Sequence, residues 1–194
     1  IKVERNVMFL ILTLIIIATA SLNSWSQSVE MEINTTESSI NWLAKKVTGQ
    51  HEGNINLISG NLEMTENKIS GGSFKVDMTS IIVTDLSGEY KGKLEGHLKS
   101  KDFFGIEKFP IASLAIKKAI MKTENHHEVT AELTIKGITN PIIFDMHLEN
   151  NEAMAKLSID RTKYDIRYRS NSFFDNLGDI AINNKFELDI KLKF

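Results

Sequence analysis

From Val29 onward, apolar and polar side chains alternate in a run of short segments, the period of a strand with one buried and one wet face. Val29 to Ile33 alternates in this way, and Ser39 to Val47 continues it until Gly49 and Gly53, which are expected to break the run. Ile55 to Met64 reads as a strand interrupted at Ser59-Gly60, and Glu66-Asn67-Lys68 as a turn. Gly71-Gly72 suggests a bulge before Phe74, Val76 and Met78, which share one strand face. Further strands follow over Ile111 to Ile120, Glu128 to Lys136, Ile142 to Leu148 and Ala153 to Asp160. They are separated by a polar turn from Lys122 to His127, a reversal at Gly137 to Pro141 and a turn over Glu149 to Glu152. The clearest alternation is the last: Phe186, Leu188, Ile190, Leu192 and Phe194 interleave with Lys185, Glu187, Asp189, Lys191 and Lys193. About eight strands with hairpin-length connections predict an antiparallel sheet, closed into a barrel or folded into a sandwich to hide its edges. Periodicity alone leaves both open.

One stretch departs from this pattern. Tyr90, Leu94 and Leu98 fall at i, i+4 and i+8, which predicts a short helix with one apolar side. Phe103, Phe104 and Phe109 then arrive within seven residues, in a segment that Gly105 and Pro110 keep irregular. A short helix followed by an aromatic knot, between two halves of a sheet, is suited to closing one end of a barrel.

The composition of the 194 residues, 42% hydrophobic and 25% charged, suits one domain with a sizeable core. A formal charge of −2 gives no reason to expect a nucleic-acid partner. The absence of cysteine excludes disulfides, thiol catalysis and cysteine metal sites. Lys2 and Arg5 precede the apolar run Val7 to Ala20, fourteen residues that as a helix would span about 21 Å at ~1.5 Å each. A bilayer core is ~30 Å thick, so residues 1–26 read as an export signal rather than a membrane span. Cleavage after Ser26 leaves a single domain over residues 27–194, with Ala20 as the second candidate site and an uncleaved anchor as the alternative.

The residues offer little chemistry. The histidines His51, His97, His126, His127 and His147 show no metal-ligand spacing, and no G-x-S-x-G elbow or glycine-rich phosphate loop occurs. His126 and His127 fall in a predicted turn, where solvated side chains are expected.

The ordered motifs resemble those of a known family. His97-Leu98-Lys99-Ser100-x-Asp102-Phe103-Phe104 followed by Phe109-Pro110-Ile111-x-Ser113 is similar to the signature of the YceI-like family of bacterial polyisoprenoid-binding proteins. Leu133 to Thr139 resembles its second marker, and Asp160-Arg161-x-x-Tyr164-x-Ile166 with Leu177-Gly178-Asp179 its third. The resemblance runs from about Val29 to Phe194. It implies an all-β, lipocalin-like, eight-stranded antiparallel barrel whose hydrophobic tunnel holds a long isoprenoid or amphiphilic chain. It also implies export to the periplasm and, commonly, a homodimer. Three positions depart from the family pattern: Lys46 where many members carry histidine, Leu94-Glu95 where an Arg-Asp pair is frequent, and Gly105 where an acidic residue is frequent.

On this reading the function is non-catalytic binding, sequestration or transport of a hydrophobic small molecule, with no cofactor besides a bound isoprenoid or lipid. The candidate ligand-binding residues are Trp42, Phe74, Leu94, His97, Leu98, Phe103, Phe104, Phe109 and Tyr164. Several have a structural counterpart reading, and Trp42 and Phe74 face either the cavity or the other side of the sheet. The three phenylalanines either line the tunnel or plug its end. The Tyr164 hydroxyl is satisfied by a ligand head group or by backbone. His97 bonds a loop carbonyl in the plainer reading, and Arg161 pairs with Asp160. Two other function classes remain: an enzyme on an isoprenoid or lipid using His97, Asp102 or Tyr164 as acid or base, and an interaction module pairing through its outer surface. The enzyme requires two titratable groups that meet at the cavity.

Overall fold

The computed structural model describes residues 27–194. The export-signal reading of residues 1–26 falls outside them. The strands are β1 (Ser28–Glu32), β2 (Ser39–Lys46), β3 (Gly49–Thr65), β4 (Lys68–Val83), β5 (Ile111–Thr123), β6 (His126–Ile135), β7 (Ile138–Glu149), β8 (Glu152–Asp160) and β9 (Ile182–Lys193). A helix, α1 (Gly88–Lys99), lies between β4 and β5. No helix among the described residues is long and apolar enough to cross a membrane.

Each strand from β2 to β9 pairs antiparallel with the next, and β9 closes the circuit on β2 through pairs from Ser39↔Lys191 to Lys46↔Ile182. The result is an eight-stranded up-and-down barrel. The additional strand β1 shares an edge with β2: it pairs with Asn61 to Thr65 of β3, whereas β2 pairs with Gly49 to Ile55. The long β3 is continuous through Gly49 and Gly53, so these glycines do not break it as the sequence suggested. Gly53 is there for close approach. A Cβ at this position would overlap the Ile82 carbonyl and lie 2.6 Å from the Trp42 ring.

Two other turns are tighter than expected. β5 runs to Thr123 and β6 starts at His126, so the polar turn shrinks and His127 becomes a strand residue. Inward positions of β6 are His127, Val129, Ala131, Leu133 and Ile135, and the strand's period therefore carries His127 into the core rather than into solvent. The reversal before β7 needs only Lys136 and Gly137, both at positive φ, and Pro141 already lies within the strand opposite Glu132.

One seam of the barrel is incompletely paired. Between β7 and β8 the register covers only Met146 to Glu149 against Glu152 to Ala155, next to their connecting turn. Beyond it, a 3-10 turn at Arg161–Tyr164 follows β8, and Asn140 Nδ2 and Lys136 Nζ reach from the β7 side to the carbonyls of Lys163 and Asp165. Tyr164 and Ile166 are buried here, which fills the seam with side chains instead of a hydrogen-bonded ladder.

Candidate functional site

The inward faces of the strands do not fill the barrel. On β9, Phe186, Leu188, Ile190 and Leu192 point inward, opposite Ile159, Leu157, Ala155 and Ala153 of β8. An eight-stranded barrel is only just wide enough to be filled by side chains, so small residues at inward positions leave a void. Ala44, Ala112, Ala153 and Ala155 all border it. The resulting cavity measures about 160 Å³ and runs along most of the interior, from Leu192 and Met146 to Phe103 and Arg161. Ser113, Arg161 and Asn183 are the polar residues in a wall otherwise built from Ala, Val, Leu, Ile, Met, Phe and Trp.

A lid covers the end next to α1. Leu98, on the last turn of the helix, is buried against the cavity. The chain then folds back on the helix end: the Phe104 and Ile106 amides donate to the Leu98 and Lys99 carbonyls at 3.1 Å, satisfying acceptors that a helix terminus leaves open. Glu95 Oε1 accepts from the Val83 amide at 2.9 Å and ties the helix to β4. Phe103 and Phe104 are thereby held over the cavity, with ring centroids 5.6 Å apart. His97 stacks edge-on between Phe103 at 5.4 Å and Tyr168 at 4.4 Å. Guanidinium groups flank the set, Arg161 5.7 Å from the Phe103 ring and Arg169 5.1 Å from Tyr168.

Arg161 holds the other half of the lid. It is 2% exposed and donates three hydrogen bonds to carbonyls: Nε to Asn183 at 3.0 Å, Nη1 to Ile166 at 2.8 Å and Nη2 to Ile182 at 3.0 Å. The expected ion pair with Asp160 is not formed. The Asp160 carboxylate instead caps the following turn, accepting from the Thr162 amide at 3.0 Å and hydroxyl at 2.6 Å. Burial draws the Arg161 pKa down, and the charge of Asp160 opposes the shift.

The structure sorts the candidate residues. Trp42, Phe74, Leu98, Phe103 and Phe104 border the cavity, whereas Leu94, His97, Phe109 and Tyr164 do not. Phe109 packs instead on the β6–β7 turn, where a Cβ on Gly137 would lie 2.9 Å from its ring. Leu94 is partly buried on α1, and Tyr90 is 75% exposed, so the predicted apolar stripe is buried only at its Leu98 end. The His97 Nε2 atom is buried without a hydrogen-bond partner among the described residues, where a loop carbonyl was expected. Burial lowers the His97 pKa, Asp102 raises it and Arg169 lowers it further. The Tyr164 hydroxyl is also buried without a partner among the described residues, and burial followed by the charge of Asp160 raises its pKa. Asp102 is exposed. His97, Asp102 and Tyr164 therefore do not converge on the cavity, the arrangement that acid–base chemistry there would need. Among the described residues no cluster of His, Cys, Asp and Glu gathers as metal ligands.

Sequence reasoning missed the alanines, the lid residue Tyr168 and the role of Arg161. Alternation marks a strand's two faces but does not say which one meets a void.

The barrel has solved counterparts. It superposes on BcnA of Burkholderia cenocepacia with a TM-score of 0.68 at 16% identity, covering 82% of this chain and 98% of that one. A polyisoprenoid binding domain from Saccharophagus degradans, described as implicated in plant cell wall breakdown, gives 0.57 at 12% identity, covering 86% and 97%. At these identities the likeness is one of fold. In sequence, a UPF0312 protein of Photorhabdus laumondii is 38% identical over 52 residues, and one of Shewanella denitrificans is 26% identical over 95 residues. These alignments cover 27% and 49% of this chain and span 27% and 48% of the two relatives. The model of the YceI-like domain matches residues 31–194, which hold all eight strands of the closed barrel together with its cavity and lid, and the chain belongs to the YceI-like family.

Proposed function

We propose that this protein is exported to the periplasm and there sequesters or carries one long apolar or amphiphilic chain, a polyisoprenoid being the type of ligand, in the barrel. The observation that carries this reading is the cavity itself, elongated along the barrel and walled almost throughout by hydrocarbon. Each CH₂ withdrawn from water contributes ~0.8 kcal/mol, so a few isoprene units supply useful affinity with no charged partner.

Size limits what the closed state accepts. A cavity of about 160 Å³ is close to the ~150 Å³ apolar void that takes up one benzene molecule. A longer chain must displace wall side chains or extend through the lid. Met78 and Met146 border the cavity and have flexible thioether side chains suited to repacking. The β7–β8 seam, lacking a continuous ladder, lets the barrel widen at a smaller cost than a fully paired wall.

The test is native mass spectrometry and lipid extraction of protein purified from its own host. An adduct of chain-like mass, released by organic solvent, is the expected result. Protein repeatedly recovered empty, and unable to take up a fluorescent prenyl amphiphile in solution, counts against the proposal.

A further inference from the structure

We propose that the lid end of the barrel docks on an anionic lipid bilayer through the side chains of Phe173 and Phe174. This inference rests on the carrier reading above, because a water-insoluble chain has to pass between a membrane and the cavity.

Phe173 and Phe174 are 45% and 50% exposed, yet the turn that bears them is firmly held. Both amides donate to the Ser170 carbonyl at 3.0 Å. Ser170 is itself fully buried and donates through Oγ to Asn184 Oδ1 at 2.6 Å, while Asn184 Nδ2 reaches Ser172 Oγ at 2.7 Å. Two aromatic rings are thus presented to solvent from an ordered turn. Val47 and Ile180, 59% and 50% exposed, extend the apolar surface, and the Val47 amide bonds the Ala181 carbonyl next to Ile180. Ile182 and Asn183, which follow Ile180 and Ala181 in the chain, border the cavity, and the Ile182 amide donates to the Arg169 carbonyl at 2.9 Å.

Charge favours a lipid surface over water. Arg167 lies 4.7 Å from the Phe173 ring and also pairs with Asp165, while Lys46, Lys163 and Arg169 form no ion pair among the described residues. Aromatic rings flanked by long cationic side chains form the composition that sits at a membrane–water interface. Asp175 and Asp179 share the loop, so the aromatic pair supplies most of the attraction. At the opposite end, Glu63, Glu66, Glu124 and Glu149 form no ion pair among the described residues, against Lys68 and Lys118, which form none there either. This distribution orients the lid end toward negative lipid headgroups.

The experiment uses residues 27–194, which contain every strand of the closed barrel and exclude the apolar run of the leader. Co-sedimentation is measured with vesicles of phosphatidylcholine containing phosphatidylglycerol, and with phosphatidylcholine alone. The wild-type chain is expected to partition onto the anionic vesicles, and the double substitution Phe173→Ser with Phe174→Ser to lower partition about tenfold. With Phe174→Trp, brominated lipids are expected to quench the introduced indole. Uptake of a fluorescent prenyl amphiphile in solution should be unchanged in the double variant. Loss of that uptake in the wild type would sink the carrier reading. Intact uptake with vesicle partition insensitive to the double substitution, or with no partition at all, overturns the docking proposal alone. A wild-type dimer in sedimentation velocity that the double substitution splits also overturns it, because the patch would then be a contact between copies.

Discussion

Ala155 offers the sharpest test that the interior is hollow. It lies on β8 between Ile190 of β9 and Met146 of β7, and its side chain borders the cavity where the β7–β8 pairing ends. Replacing it with phenylalanine adds about 100 Å³ of side chain, most of a cavity of about 160 Å³. Cavity volume costs ~24 cal/mol per Å³, so filling it stabilises the empty protein by up to about 2 kcal/mol. For a domain of this size that raises the melting temperature by roughly 4–8 °C. The same substitution occupies the space that a ligand needs. Thermal unfolding with and without a prenyl amphiphile therefore has a paired outcome: Ala155→Phe melts higher than wild type when empty and gains no further stability from the ligand. A variant that melts lower by the 1–3 kcal/mol typical of overpacking, and still binds the amphiphile, would show a close-packed interior and refute the reasoning.

Other expectations follow from single residues. Gly53→Ala should destabilise by at least about 2 kcal/mol in urea titration, because its Cβ meets the Ile82 carbonyl and the Trp42 ring with no flexible group to yield. His127 is 1% exposed with both ring nitrogens unpartnered among the described residues, and burial, then His126, lowers its pKa. Its neutral form is held in the fold while the unfolded chain takes up a proton near the ordinary value of about 6.5, so its contribution is full above that pH and is lost as pH falls toward the lowered folded value. His127→Met should raise stability by about 1–3 kcal/mol and flatten this acid-side loss, as measured by denaturant midpoints across the pH range. Arg161→Met should cost about 3 kcal/mol by orphaning one buried and two part-buried carbonyls, and Arg161→Lys should not restore it, since an ammonium lacks the planar fork that reaches Ile166, Ile182 and Asn183 together.

Much of the barrel is legible in local pattern. The alternation of Phe186 to Phe194 with charged residues fixes a strand with one wet face, and the hairpin-length connections commit the chain to an antiparallel meander. The helix and aromatic knot were also readable, because a change of period from two to about four, followed by glycine and proline, is a local signal. What the sequence by itself determined was which residues alternate and where the alternation stops. Which face meets a void, and which meets another side chain, only the tertiary structure decided. Ala155 borders the cavity while the alanine at 131 is fully buried; Phe103 covers the cavity while Phe109 packs on Gly137. His127 left its expected solvent-facing turn because β6 begins one residue before it and the strand's period turns its ring inward. The physical reason is common to all of these. A strand's period depends on neighbours along the chain, but the space between opposing faces depends on register, closure and the volumes of residues far apart in sequence.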